Sequence, residues 1–239
     1  MVTGPDVAVA LQGGAWGPGR AREFVRWFAA EWAGRPLREG DGYGEAELAA
    51  EEARLGFALP AALREGYALF GRRDDLVRRQ DPLRPLPGLW FDEVYGGLLG
   101  FRDENQGCTG WAVALGHGEP DDPPVWVDSH EGWVPFLPRV SQAWVELVLS
   151  ETLFADRGAY DACELPTAEA AGLAGYTRID LPDHPMWTSA EESPVRWYAA
   201  PGRLLRRDGQ QDLCWMHARG RTGADLDRIR ADFPVRWVN

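Results

Sequence analysis

The chain contains no lysine: all 25 of its basic residues are arginine, set against 37 acidic residues for a net charge of −12. A GC-rich coding sequence produces that pattern without selection at any one site. The shortage of positive charge argues against nucleic acid as a partner, because neutralising phosphates needs a basic face. An acidic surface suits basic partners, and it equally serves solubility. Cysteine is scarce as well. Cys108, Cys163 and Cys214 are far apart and odd in number, so no disulfide framework is implied, in keeping with a reducing compartment. The four histidines, His117, His130, His184 and His217, are scattered, and none stands at helical spacing from another plausible ligand. Asp128, His130 and Glu131 are close in sequence, but neighbours on an extended chain point in alternating directions. No metal site is expected.

Long apolar runs are absent too, and the opening MVTGPDVAVALQGG lacks a basic stretch followed by an apolar one. The expectation is a cytoplasmic protein with no membrane partner. No phosphate-cradling glycine loop, G-x-G-x-x-G, H-E-x-x-H or G-x-S-x-G motif occurs. A triad assembled in space leaves no sequence trace. The carboxylate pairs Asp121-Asp122 and Glu191-Glu192 read as solvated loop charge. No catalytic, cofactor-binding or metal-binding residue is therefore expected, and the chain reads as a non-enzyme.

What is present points to a folded protein: 45% hydrophobic residues, with 12 Trp and 9 Phe. Residues 1–19 are rich in glycine and small residues and are expected to be loosely ordered. Phe24, Trp27, Phe28 and Trp32 share one face of a predicted helix over 20–33. From Glu47 to Gly71 the sequence ELAAEEARLGFALPAALREGYALFG predicts two short helices. Gly56 ends the first in a left-handed conformation and Pro60 opens the second. Leu59, Leu63, Tyr67 and Phe70 then form one buried stripe. Three prolines between Arg72 and Pro87 preclude a continued helix there.

Between Leu89 and Val134 the period falls to two, predicting strands at 98–101, 111–115 (half-buried), 125–127 and 132–136. Ser141 is the expected N-cap of a helix whose sheet-facing side is Val140, Ala143, Trp144, Leu147, Val148, Glu151 and Phe154. A boundary is expected over 156–172. Beyond it come strands at 176–181, 195–198, 204–207, 212–218 and 235–238 and a helix at 223–233. Asp208-Gly209 suits a hairpin turn, and Thr222 with Asp225 suits a capping box. The expected fold class is α+β: helices packed on a twisted, mainly antiparallel sheet over 20–156, then a smaller α+β unit over 157–239.

The pattern E-x-x-L-G-[apolar]-x-L-P-x-x-L-x-x-x-Y-x-x-F-G from Glu52 to Gly71 resembles the signature of the SUKH superfamily. This superfamily includes the Smi/Knr family of fungal cell-wall regulators and bacterial immunity proteins. ENQG at 104–107, DPPVW at 122–126 and the helix near Ser141 resemble that family's later landmarks, in order. The resemblance spans roughly residues 44–155. It implies protein binding, most concretely an immunity protein that occludes a toxin domain and needs no catalytic residue. A regulatory or scaffold module, a small-molecule sensor and an unrecognised hydrolase are the alternatives.

Two clusters are candidates for partner contact. Within DENQG, Asn105 and Gln106 can staple a turn at Gly107 or touch a partner. Within DPPVW, the prolines can guard a strand edge or present Trp126. Together with the neighbouring acidic loops, the candidate partner-binding residues are Asp103, Glu104, Asn105, Asp121, Asp122, Trp126, Asp128 and Glu131, a face suited to a basic toxin domain. Sequence leaves the oligomeric state open. The helix pairing has its own test: Leu63→Ala is expected to lower the unfolding free energy by about 2 to 5 kcal/mol, read from the denaturant midpoint, whereas an exposed Leu63 would leave it unchanged.

Overall fold

A computed structural model describes residues 6–13, 15–155, 159–166, 172–188, 193–209 and 213–239. The fold is α+β, with two antiparallel sheets of five strands each. The chain divides into two compact units, Gly14–Thr152 and a second formed by Met1–Gly13 with Leu153–Asn239. The expected loose N-terminal segment needs correcting at residues 6–13. They form a short helix, α1 (Val7–Ala10), capped by the Asp6 carboxylate, with Val7, Ala8 and Leu11 buried.

In the Gly14–Thr152 unit, α2 (Pro18–Glu31) starts on a proline and buries Ala21, Phe24, Val25, Phe28 and Ala29. Trp27 and Trp32 are only half-buried, and Trp32 stacks on Phe28 at 5.8 Å. α3 (Glu45–Leu55) ends at Gly56 with φ 82°, and α4 (Ala61–Phe70) follows Pro60, as the sequence predicts. Glu52 secures the connection by accepting the Leu59 N–H at 3.0 Å. Leu59, Leu63, Tyr67 and Phe70 are all buried. A one-turn helix not expected from sequence, α5 (Asp74–Val77), precedes the three prolines and buries Leu76 and Val77.

The first sheet is a meander of β1 (Trp90–Asp92), β2 (Leu98–Asp103), β3 (Gly110–Ala114), β4 (Val125–Ser129) and β5 (Gly132–Leu137), in that spatial order. β3 was expected to be half-buried, but Trp111 to Ala114 are all buried, because side chains cover both faces of the sheet. A bulge between Gly100 and Arg102 turns both Phe101 and Arg102 to the helical side, where Phe101 meets Trp144.

That tryptophan belongs to α6 (Val140–Leu153) and is the centre of the aromatic core. Tyr67, Phe70 and Phe101 all present edges to it at 5.2 to 5.9 Å. Its Nε1 donates to the Ala62 carbonyl at 2.8 Å. Gly66 permits this approach, since a Cβ there would fall 2.1 Å from the indole. The expected sheet-facing stripe of α6 is too narrow: every residue from Val140 to Leu153 is buried, and Val145, Leu149 and Leu153 add apolar groups outside it. Ser141 also differs from expectation. It is held by Asp122, whose carboxylate accepts the Ser141 N–H at 2.8 Å and its hydroxyl at 2.6 Å.

The other unit contains β6 (Tyr160–Pro166), β7 (Thr177–Arg178), β8 (Ser193–Ala200), β9 (Arg203–Gly209), β10 (Leu213–Gly220) and α7 (Gly223–Asp232). Its strand order is β6-β10-β9-β8-β7. α7 covers β10 and β9 over Cys163, Leu165, Leu205, Cys214, Met216, Ala218, Leu226, Ile229 and Phe233. Its Thr222–Asp225 capping box forms as predicted. Three expectations fail here. β6 occupies part of the anticipated boundary, and residues 235–238 form no strand, with Val238 only donating to the Ala162 carbonyl at 2.9 Å. Asp208 lies buried within β9, so it does not form a turn; residues 210–212 lie outside those described.

One buried ionic cluster joins three segments of the Gly14–Thr152 unit. The Glu151 carboxylate accepts backbone N–H groups from Arg79, Gln80 and Asp81 and approaches the Arg102 guanidinium at 3.4 Å. Arg102 in turn donates to Glu146 at 2.6 Å and to the Asp81 carbonyl at 3.1 Å. Removing one member strands the others in a low dielectric. Glu151→Ala is accordingly expected to cost about 3 to 5 kcal/mol of stability in chemical denaturation; a loss below about 1 kcal/mol would show that the cluster is solvated.

Candidate partner-binding surface

The two faces of the first sheet differ in character. One carries Leu99, Trp111, Val113, Val125 and Val127, all buried. The other carries Trp90, Trp126 and Trp133, each half-buried over a small core of Leu98, Ala112 and Ala114. Trp90 and Trp133 come from the two edge strands, which a flat five-stranded sheet would hold about 19 Å apart. Their rings lie 6.0 Å apart, so the sheet curls around the indoles. Register shifts at Gly100/Arg102 and Val125/Trp126 contribute the curvature. Gly100 leaves room for the Trp90 ring, which a Cβ would meet at 1.9 Å.

At one end of this sheet the β1–β2 turn projects Val94 and Tyr95, both 56% exposed. Tyr95 has φ 60°, and it is the one non-glycine residue with positive φ among those described. An exposed aromatic held in a left-handed conformation carries strain of the kind that gathers at functional sites. The His117 ring lies between this turn and the sheet, its Nε2 3.4 Å from the Tyr95 carbonyl and its face 5.1 Å from Trp126. Asp92, Glu93, Glu119 and Asp121 are exposed on the same loops, and among the described residues none of these four has an ion-pair partner. An apolar centre of Val94, Tyr95 and the Trp126 edge thus sits within uncompensated negative charge.

The residues proposed from sequence do not form one face. Antiparallel pairing sends the β2–β3 and β4–β5 turns to one end of the sheet and the β1–β2 and β3–β4 loops to the other. Asp103, Glu104, Asn105 and Glu131 lie at the first end with Asp128 close by, and Asp121 and Asp122 lie at the second. Asp103 is paired with Arg84 at 2.7 Å. Glu104 is buried and staples its turn by accepting the Gln106 and Cys108 N–H groups at 2.8 and 3.2 Å. The stapling expected of Asn105 and Gln106 thus falls to Glu104, and those two are exposed. Asp122 is buried on Ser141, and half-buried Asp128 takes the Thr109 hydroxyl on its carbonyl. Asp121 and Trp126 remain at the aromatic end. Sequence reasoning missed Asp92, Glu93, Val94, Tyr95 and Glu119; the DEVYGG turn was the available signal for the first four, and the Gly- and Asp-rich 116–122 loop for Glu119. Glu191 and Glu192 lie outside the described residues.

A second polar cluster lies on the β6–β10–β9 face away from α7. The Tyr160 hydroxyl shares a 2.9 Å hydrogen bond with His217 Nδ1, and His217 Nε2 faces Asp208 at 3.4 Å. Arg206 pairs with Asp208 at 2.6 Å. Burial pushes the Tyr160 hydroxyl up to about 12, so it remains a donor and is a poor nucleophile. The cross-strand pairs Ala162–His217 and His217–Arg206 assemble this relay, which no sequence motif marks. Among the described residues no group of three or more His, Cys, Asp or Glu is placed to hold a metal ion, and no helix is long and apolar enough to cross a membrane.

Compared with known proteins, the chain matches no family model, no curated protein and no solved structure. The strain at Tyr95 is directly measurable. Tyr95→Gly is expected to be more stable than Tyr95→Ala by roughly 1 kcal/mol, because both lose the same ring and only alanine keeps the Cβ penalty at positive φ. Equal melting temperatures would place Tyr95 in an unstrained conformation.

Proposed function

We propose that the chain is a non-catalytic protein-binding protein, most concretely a cytoplasmic immunity protein of SUKH type that covers a basic bacterial toxin domain. The observation carrying this reading is the strained, exposed Tyr95 among Val94, His117 and Trp126, bordered by carboxylates that have no cationic partner among the described residues. A rigid aromatic anchor inside a charged rim is the arrangement from which binding hot spots are built. Occlusion needs nothing further.

Anchor and rim are expected to act on different rate constants. With a basic toxin domain that binds the chain as ligand, Tyr95→Ala should accelerate dissociation roughly tenfold or more and leave the salt dependence alone. Glu119→Gln combined with Asp121→Asn should slow association at low salt and flatten its decline as ions screen the rim. Asp122 is left intact because it secures α6. An association rate indifferent to salt and to both sets of substitutions would overturn this reading.

A further inference from the structure

On the helical side of the Gly14–Thr152 unit, an open cleft of about 570 Å³ lies between α2, the 37–44 loop, the start of α3 and the end of α4. That volume is within the range of small-ligand sites. Leu37, Ala68 and Leu69 line its apolar part, and Arg26, Arg38 and Arg72 its basic part. These arginines stand out in a chain of net charge −12. Around them Arg22, Arg35, Arg64 and Arg73 each pair with a carboxylate. Arg26 and Arg38 have no ion-pair partner among the described residues. Arg72 lies over the Tyr43 ring at 4.3 Å and pairs with Glu47, whose carboxylate also accepts the Gly44 N–H at 3.1 Å. Glu39 is the remaining acid in the lining.

The loop that carries Arg38 is fixed in place. Asp41, 8% exposed, receives both Arg35 Nη atoms at 2.7 and 2.8 Å, the Arg38 N–H at 2.8 Å and buried Arg73 at 3.2 Å. Those bonds, Arg35 foremost, hold its carboxyl well below the usual range, so it stays ionised and the loop stays braced. Tyr43 N–H donates to the Tyr67 carbonyl, and Gly42 lies so close to α4 that a Cβ would overlap the Ala68 carbonyl oxygen at 1.8 Å. The loop therefore presents Arg38 from a rigid base.

We propose that this cleft binds a phosphate-bearing small ligand, its phosphoryl oxygens held by Arg26 and Arg38 beside Arg72. Guanidinium forks match phosphate oxygens in pairs, and two or three of them offer more donors than one carboxylate can accept. Free inorganic phosphates and phosphorylated organic molecules share this chemistry. The latter would also cover Leu37, Ala68 and Leu69. The site is separate from the aromatic surface and goes beyond the protein-binding role.

The test is calorimetric titration of the full chain with pyrophosphate, with ATP and with adenosine, in magnesium-free buffer at low salt. Pyrophosphate and ATP are expected to bind and adenosine not to. ATP binding more tightly than pyrophosphate assigns an organic phosphate, and equal affinities assign the free anion. Arg26→Gln and Arg38→Gln should each weaken binding roughly tenfold, in proportion to one lost charge-assisted contact. Both side chains are exposed and unpaired, so the melting temperature should hold. Arg228→Gln, an exposed arginine of the other unit, should change nothing. No heat from either phosphate at millimolar concentration, or affinities unchanged in both cleft variants, would overturn the proposal.

Discussion

Glu151 is the carboxylate on which the Gly14–Thr152 unit depends. Fully buried near the end of α6, it satisfies three consecutive backbone N–H groups of the 79–81 loop and shares Arg102 with Glu146. Each of these groups carries a desolvation cost of several kcal/mol that only the others offset. Sheet, loop and helix are consequently fixed together or not at all. The bulge that turns Arg102 towards α6 belongs to the same constraint, because without it strict alternation would keep Phe101 on Trp144 and send Arg102 to the opposite face, away from Glu146 and Glu151.

With the helices committed to one face, the opposite face of the sheet is closed by its own tryptophans. Curling brings Trp90 against Trp133 and leaves a shallow aromatic layer on Leu98, Ala112 and Ala114. The layer is stable enough to hold shape and too thin to bury itself, so indole edges remain accessible beside the β1–β2 turn. Tyr95 retains an unfavourable φ at that point, and the stabilising network elsewhere can carry the cost of one such residue. The carboxylates of the surface divide by role. Glu104 and Asp122 are internal staples, whereas Asp121 and Glu119 contribute field.

The organising helices were legible in sequence because their signals are local. A glycine stop, a proline start and an apolar stripe at helical spacing place Leu59, Leu63, Tyr67 and Phe70 without reference to any other segment. The Thr222–Asp225 cap was readable for the same reason. Ser141 was misjudged because its partner, Asp122, is 19 residues away, and local capping rules see only neighbours. The proposed acidic face failed on topology: successive hairpin turns alternate between the ends of a meander, so loops adjacent in sequence are opposite in space. The Tyr160–His217–Asp208 relay spans three strands whose register no periodicity records. The Arg26–Arg38 cleft escaped notice because its distinction is that two arginines lack partners, a property only the folded chain has.

The central claim is that the aromatic end of the first sheet is the surface a partner covers. Amide hydrogen exchange across the full chain, free and saturated with a protein partner, addresses it without altering a residue. The account predicts slowed exchange at Phe91 to Gly97 and Gly116 to Asp121, with the β2–β3 turn at Glu104 to Thr109 unchanged. Protection confined to that turn and to Ser129–Gly132, or to the α2–α4 helices, would place the partner elsewhere and contradict it.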